Sequence, residues 1–187
     1  WSSDQVDDAL VRVIYTEKNR KRLRDSFRWV QQRLETYISK QPASVFSSDD
    51  KKKLFAQIST TVLELPPPTS LYSNEPDLFT KNEIYYSALP DGRRIVRVGG
   101  AYILSAKSQF NRVFSFAHEL AHAIDPCEME TKQVRLPAYE NLAHCFAKKH
   151  YMKNAVTDAK CSPSNQLGET FADWMAVQIT AEALTEF

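Results

Sequence analysis

Apolar residues recur at helical spacing in the first part of the chain, between residues 4 and 39. Most are three or four positions apart, which places them on one face of a helix. These residues are Val6, Leu10, Val13, Ile14, Leu23, Phe27, Val30, Leu34 and Ile38. The pattern predicts either one long helix or two helices joined near residues 18–21.

A second helix is predicted from the segment SSDDKKKLFAQI. Ser48 suits the N-cap position, because its hydroxyl can accept a hydrogen bond from an unpaired amide of the first turn. Asp49 and Asp50 follow, and negative charge is favourable near a helix N-terminus. Three prolines at positions 66–68 then interrupt regular structure, so residues 66–81 are predicted to form a loop.

A β-hairpin is predicted within residues 82–104. Two runs rich in β-branched and aromatic residues flank Pro90-Asp91-Gly92. Proline fixes φ and glycine tolerates positive φ, so this tripeptide predicts the turn. The pair Gly99-Gly100 follows the second run and indicates a bulge or the close approach of another backbone.

Three further helices are predicted, from about residue 107 to 124, from 138 to 150 and from 165 onward. Asp125 and Pro126 would end the first of them. Helices, then a small sheet, then helices again are typical of the α+β class. The 187 residues suit a single domain, residues 1–187, with a helical scaffold in 1–81 and the hairpin and remaining helices in 82–187.

Composition and charge exclude several classes of function. Hydrophobic residues make up 43% and charged residues 25%, as in ordinary globular proteins. Lys and Arg number 24 against 23 Asp and Glu, so the charge gives no reason to expect a nucleic-acid partner. The basic run at residues 18–24 is interpreted as a solvated helix face. No apolar run approaches the length of a transmembrane helix.

The stretch FSFAHELAHAIDP contains His118, Glu119 and His122 in the order H-E-x-x-H. Histidines four apart share one face of a helix, so both imidazoles can reach one ion. Glu119 is one position further round and can take a proton from a water molecule that the ion activates. The competing interpretation is two core histidines bonded to backbone carbonyls, with Glu119 at the surface.

A second stretch, LGETFADWMA, supplies what the two histidines lack. Catalytic zinc usually has three protein ligands and one open position, and Glu169 suits the third ligand. Asp173 is four residues further on and suits a hydrogen bond to the non-ligating nitrogen of His118. Their helix is otherwise apolar, where unpaired carboxylates are costly. Together the two stretches predict a site for one zinc ion.

HELAHAID followed by GETFADW resembles the neprilysin family of gluzincin metallopeptidases. That family carries H-E-x-x-H-x-x-D and, on a later helix, G-E-x-x-x-D. The resemblance implies a zincin-like domain, zinc bound by the two histidines and Glu169, and Glu119 as general base. It also implies that Asp125, like Asp173, hydrogen-bonds a ligand histidine. The separation of the two motifs is closer to that family than to thermolysin.

The resemblance also implies a substrate. In the family, an edge strand ahead of the zinc helix binds a peptide by strand addition. Residues 82–104 have this organisation, although the asparagine of the family's N-A-x-Y motif aligns with Glu83, and Asn82 is one place away. A peptide or protein substrate lying extended along the hairpin is therefore expected.

Family enzymes place a histidine and an arginine after the third ligand to stabilise the oxyanion, but neither follows Glu169 here. Four residues between the motifs are candidates for that role: Tyr139, His144, His150 and Tyr151. Two alternatives to a peptidase stay open, a zinc-binding pseudoenzyme that binds peptides without cutting and a zinc amidase acting on cell-wall peptides. A purely structural metal is disfavoured, since such sites usually have four ligands rich in cysteine.

Three cysteines, Cys127, Cys145 and Cys161, fall in the last third of the chain. Their positions predict one disulfide, Cys145–Cys161, with Cys127 left over, while Cys127–Cys161 is the alternative. Disulfides persist in oxidising compartments. A periplasmic or secreted protein, from which a signal segment has been removed, is therefore expected.

Overall fold

The structure is a computed structural model that describes residues 15–66, 81–105, 108–148 and 166–186, with the single positions 5, 9, 12, 13 and 161. The predicted loop at residues 66–81 lies almost entirely outside the described residues. Within them, helices accompany one three-stranded sheet, which confirms the α+β class. No described helix combines the length and apolar character needed to cross a membrane.

Helix α1 spans Glu17–Lys40 and supplies one wall of the core. The predicted face is confirmed, because its buried residues are Leu23, Phe27, Val30, Leu34 and Ile38. Thr16 is extended, and its hydroxyl accepts the amide hydrogen of Asn19. The helix therefore starts at this cap and runs unbroken through residues 18–21. Positions 5, 9, 12 and 13 are helical and residues 15 and 16 are not, so the alternative of two helices holds, with the joint at residues 15–16 rather than 18–21.

Helix α2 spans Ser48–Thr60 and begins one residue earlier than predicted. Its N-cap is Ser47 rather than Ser48. The Ser47 hydroxyl accepts from the Asp50 amide at 3.2 Å, and the Asp50 carboxylate accepts from the Ser47 amide at 3.1 Å. This reciprocal pair satisfies two amides at once, which explains why the helix starts there.

The sheet has three strands in the order β1-β3-β2, and its hairpin is confirmed. Strands β2 (Ile84–Ala88) and β3 (Arg94–Val98) pair antiparallel around the predicted turn. Strand β1 (Thr61–Glu64) pairs parallel with β3 and was not predicted, because four residues directly after a helix carry too short a pattern. Among the described strands β2 is therefore an edge of the sheet.

Gly99 ends the hairpin where two backbones meet. A Cβ atom at this position would lie 2.2 Å from the carbonyl oxygen of Lys81, so only glycine fits without movement. This confirms the close approach that the glycine pair indicates. Helix α3 (Tyr102–Ser105) follows directly, so the prediction of hairpin structure as far as residue 104 is wrong.

Four further helices lie within the described residues: α4 (Gln109–His122), α5 (Pro126–Thr131), α6 (Pro137–Lys148) and α7 (Gln166–Glu186). Helix α4 lies between α1 and α7. Its Phe116 is fully buried and meets Phe27 of α1 edge to face, with ring centroids 5.6 Å apart. Helix α5 was not predicted, because Asp125 caps a new helix rather than only ending α4.

Candidate metal centre

Helix α4 presents its two histidines at the border of the core. His118 and His122 are one turn apart, and their Nε2 atoms lie 3.2 Å from each other. The helix packs its apolar face inward, burying Val113, Phe116, Ala117, Leu120 and Ala121. The histidine side chains keep only 19% and 12% of their surface exposed. Packing thus fixes the helix face that carries both rings.

Helix α7 brings a carboxylate to the same point. The Oε2 atom of Glu169 lies 3.5 Å from Nε2 of His118 and 3.7 Å from Nε2 of His122. Glu169 stands in the first turn of α7. The helices run in opposite directions, because Asp173, one turn later on α7, meets His118, one turn earlier on α4. The predicted pairing of the two motifs is therefore present in the fold.

Each histidine uses its other ring nitrogen to contact a carboxylate. Nδ1 of His118 lies 2.9 Å from Oδ1 of Asp173, and Nδ1 of His122 lies 2.9 Å from Oδ2 of Asp125. A proton on Nδ1 leaves the Nε2 lone pair free, so these contacts select the tautomer that can bind a metal. Burial by itself would lower the pKa of His122, but the hydrogen bond and charge of Asp125, together with the charges of Glu169 and Glu119, raise the pKa.

Asp125 orients His122 and also caps the helix that follows it. It is buried, at 3% exposure, and its Oδ1 atom accepts the amide hydrogens of Cys127 and Glu128, each at 2.7 Å. It is thus the N-cap of α5. A buried carboxylate needs such partners, since an unpaired one is costly.

The three converging atoms form a triangle that suits a small metal ion. Its sides are 3.2, 3.5 and 3.7 Å. Tetrahedral zinc with ligand bonds of about 2.0–2.1 Å has ligand-to-ligand distances of about 3.3 Å. The group His118, His122 and Glu169 could therefore hold a metal ion. The two histidine Nε2 lone pairs and the Glu169 oxygen face one another, and a cation between them would accept all three as ligands.

Glu119 lies beside this triangle without joining it. Its Oε2 atom accepts the backbone amide hydrogen of Tyr86, in strand β2, at 2.7 Å. Burial raises the pKa of Glu119, while the nearby His118 and the Tyr86 amide oppose the rise. The carboxylate is held at a fixed place between the edge strand and the histidines.

A cavity of about 500 Å³ opens beside the triangle. Its walls include the histidines, Glu119, Glu169 and the edge strand, together with Glu128 and Thr131 of α5. Tyr86 also lines the cavity, and its ring centroid lies 6.4 Å from that of His122. The cavity has the volume of an ordinary ligand-binding site and adjoins the three converging atoms.

Of the four residues predicted as oxyanion stabilisers, the two that the structure describes, Tyr139 and His144, are not among the residues that line the cavity. Tyr139 is buried against Phe171, and its hydroxyl donates to the carbonyl of Ile124. His144 is exposed on α6. His150 and Tyr151 lie outside the described residues. Because neither Tyr139 nor His144 lines the cavity, their placement gives no support to an oxyanion role.

The disulfide joins Cys127 to Cys161, with Cα atoms 5.1 Å apart. The predicted pair Cys145–Cys161 is wrong, and the alternative is confirmed. Cys145 is exposed on α6 and free, whereas the cap at Asp125 turns Cys127 toward the cavity wall that Cys161 also lines. The bond fastens the start of α5 to the chain shortly before α7.

Tyr86 and Glu128 are the site residues that the sequence did not single out. Tyr86 falls in a strand recognised only as a possible edge, and Glu128 falls in the helix that was not predicted. The tyrosine hydroxyl donates to Oε1 of Glu128 at 3.0 Å. A local pattern cannot show this contact, because its partners are 42 residues apart.

Comparison of the chain with models of protein families, with curated proteins and with solved structures gives no match. What this site can do is therefore argued from its own residues. Two imidazoles and a carboxylate converge, each imidazole is backed by a second carboxylate, and a further carboxylate stands to one side. Such an arrangement can bind a cation and move a proton next to it.

Proposed function

We propose that the protein is a zinc-dependent peptidase of the gluzincin type, with Glu119 as the general base. The convergence of His118, His122 and Glu169 on one point carries this proposal, since catalytic zinc uses three such ligands and leaves a position open. Two histidines with one glutamate favour zinc over magnesium or calcium, which prefer oxygen ligands. The resemblance to the neprilysin family and a zincin-like domain belong to the same proposal.

The reaction follows from the placement of the proton acceptor. Zinc, when bound, supplies Lewis-acid chemistry, lowering the pKa of a water molecule and polarising the scissile carbonyl. Glu119 accepts the proton of the attacking water at its carboxylate and later delivers it to the leaving amine. The Tyr86 amide holds one carboxylate oxygen at 2.7 Å, which leaves the other oxygen to accept the proton. Asp125 and Asp173 keep the ligand histidines in one tautomer.

Strand β2 provides the binding edge for an extended peptide. At the two ends of this pairing the Gly99 amide donates to the Glu83 carbonyl, and the Leu89 amide donates to the Arg93 carbonyl. Hydrogen-bonded pairs alternate along an antiparallel ladder, so Tyr85 and Ser87 also face β3. Tyr86 and Ala88 therefore direct their backbone groups to the free edge, where Glu119 already accepts the Tyr86 amide. A substrate strand would pair with the remaining groups.

A second candidate function is zinc and peptide binding without cleavage. Neither His nor Arg occurs in the described part of α7 after Glu169, and Tyr139 and His144 lie away from the cavity. Oxyanion stabilisation is often a large part of catalysis. A protein with these ligands and without such a donor would retain the metal and lose turnover.

The deciding experiment compares the wild type with Glu119→Gln and a matched surface variant, Glu140→Gln on α6. Elemental analysis gives the zinc content, and a quenched-fluorescence peptide library gives turnover. One zinc per chain in all three, with cleavage lost only in Glu119→Gln, supports the peptidase. One zinc in each with no cleavage in the wild type supports the binding module, once cell-wall peptides have also been tried. Zinc in none contradicts both.

The disulfide bears on where this activity takes place. Cys127 and Cys161 are bonded, and such bonds persist outside reducing compartments. An extracytoplasmic location, periplasmic or secreted, is part of the proposal. The substrates are then peptides or proteins met outside the cytoplasm.

A further inference from the structure

Tyr86 touches the two sides of the cavity with different atoms. Its backbone amide donates to Oε2 of Glu119 on α4, at 2.7 Å, and its hydroxyl donates to Oε1 of Glu128 on α5, at 3.0 Å. One residue of the edge strand therefore connects the proton acceptor with the opposite wall. The hydroxyl remains a donor, because burial and the adjacent Glu128 raise the pKa of Tyr86.

Besides Tyr86, two residues contact Glu128 directly, Asp125 and Lys132. Its backbone amide donates to Asp125, which orients His122. Its carboxylate forms an ion pair with Lys132, one turn further along α5. Lys132 in turn donates to Oε1 of Gln57 on α2, at 2.9 Å. The Glu128 side chain is only 15% exposed, so this network ties the edge strand to two helices in a half-buried place.

We propose that Glu128 is a positioning residue for substrate, acting through Tyr86. This rests on the proposed peptidase function. The bond between Glu128 and the Tyr86 hydroxyl fixes strand β2 at one distance from the metal ligands. Hydrogen bonds to a charged group are stronger than neutral ones. Among the described strands, β2 has a partner, β3, on one side only. Without the hydroxyl bond, the free edge can shift relative to the site.

The hydrogen bond between Glu128 and the Tyr86 hydroxyl suits a positioning role rather than a direct part in bond cleavage. Oε1 of Glu128 already receives both the hydroxyl and the Lys132 ammonium. Glu128 is not one of the three metal-binding residues. Its loss should therefore change how well a peptide is aligned, and leave the metal and the proton acceptor in place.

The test uses Tyr86→Phe, Glu128→Ala and the double variant, in the full chain with zinc. Tyr86→Phe keeps the ring and leaves Glu128 paired with Lys132, so no buried charge is stranded. Tyr37→Phe on α1 is the matched control for losing a half-buried tyrosine hydroxyl. Zinc content, KM and kcat on an extended peptide, and hydrogen exchange of the Tyr86 amide are measured.

For Tyr86→Phe we expect KM to rise about three- to tenfold, the range that one hydrogen bond gives. The kcat should change less than about twofold, since the groups that act on the scissile bond stay in place. Exchange of the Tyr86 amide should be faster, while zinc content and Tyr37→Phe match the wild type. The double variant should be no worse than Glu128→Ala, because the two residues act through one bond.

Unchanged KM and unchanged exchange in Tyr86→Phe would overturn the inference, as would fully additive effects in the double variant. Failure of the proposed function looks different. If the wild type cleaves no peptide, exchange of the Tyr86 amide still decides the positioning role. Faster exchange of the Tyr86 amide in both single variants then supports the positioning role, and exchange at the wild-type rate in both variants contradicts it.

Discussion

Asp125 holds His122 with one carboxylate oxygen and the start of α5 with the other. Oδ2 lies 2.9 Å from Nδ1 of His122, and Oδ1 accepts two amide hydrogens at 2.7 Å each. A single buried side chain thus couples the orientation of a metal-binding ring to the folding of a helix. Asp173 approaches His118 from α7 with its side chain 65% exposed. Asp173 therefore orients a histidine only, whereas Asp125 orients a histidine and also caps a helix.

Asp125→Ala should lower both metal affinity and stability. Loss of such a partner typically costs about 10–100-fold in metal affinity, and loss of an N-cap costs about 1 kcal/mol of unfolding free energy. Asp173→Ala should lower zinc affinity with little change in stability, because that side chain is exposed. Chelator competition measures affinity, and urea denaturation of the metal-free protein measures stability. Equal stability of the two variants would contradict the capping role.

Glu169→Gln should remove most of the thermal stabilisation that zinc gives. An ion bound only by the folded state raises its stability, and here the ligands come from two helices, α4 and α7. A neutral amide is a weaker ligand than a carboxylate, so the Tm should respond far less to added zinc. Glu182→Gln on the same helix is the control and should respond like the wild type. A full zinc response in Glu169→Gln would exclude Glu169 as a ligand.

Alkylation without reductant should label one cysteine, Cys145. The other two form the disulfide Cys127–Cys161, and intact mass should show a single added group. Cys145→Ser should add none. Breaking a bond between residues 34 apart should cost about 4 kcal/mol on the loop-entropy model, which denaturation of Cys127→Ser/Cys161→Ser measures. Labelling of all three thiols in the wild type would contradict the pairing.

Gly99→Ala should destabilise the hairpin. The new Cβ would lie 2.2 Å from the Lys81 carbonyl oxygen, and this backbone atom cannot turn aside as a side chain would. A loss of roughly 1–3 kcal/mol is expected from such overpacking. Gly92→Ala is the comparison, since its φ of +86° carries strain but nothing lies within 4 Å. Urea denaturation of both variants distinguishes the cost of a clash from the cost of backbone strain. An unchanged free energy of unfolding in Gly99→Ala would show that the two backbones can move apart.

Patterns repeated over many residues predicted most of the fold. The five buried positions of α1 repeat every three or four residues over most of its length, and Pro90-Asp91-Gly92 carries turn chemistry of its own. Strand β1 and helix α5 are four and six residues long, too short for a period to appear. The N-cap of α2 is Ser47 rather than Ser48, because the cap depends on a reciprocal pair of hydrogen bonds rather than on one hydroxyl.

The core of the site was predicted because helical spacing fixes which side chains share a face. Spacing of four placed His118 with His122 and Glu169 with Asp173, and the structure brings the two pairs together. The cysteine pairing and the Tyr86 hydroxyl bond were not predicted, since each depends on how distant segments pack. Positions alone favoured Cys145, yet its helix turns it to solvent.

The hydrogen bond from the Tyr86 amide to Glu119 also bears on how the molecule avoids its own copies. An open edge strand offers unpaired donors and acceptors to any other strand, and two such edges can begin aggregation. Strand β2 is only five residues long, and the donor at its centre is already bound to a carboxylate. A second copy therefore meets an edge whose central donor is taken, and only the groups on either side of Tyr86 remain, which suits a short substrate strand better than a continuous ladder between molecules.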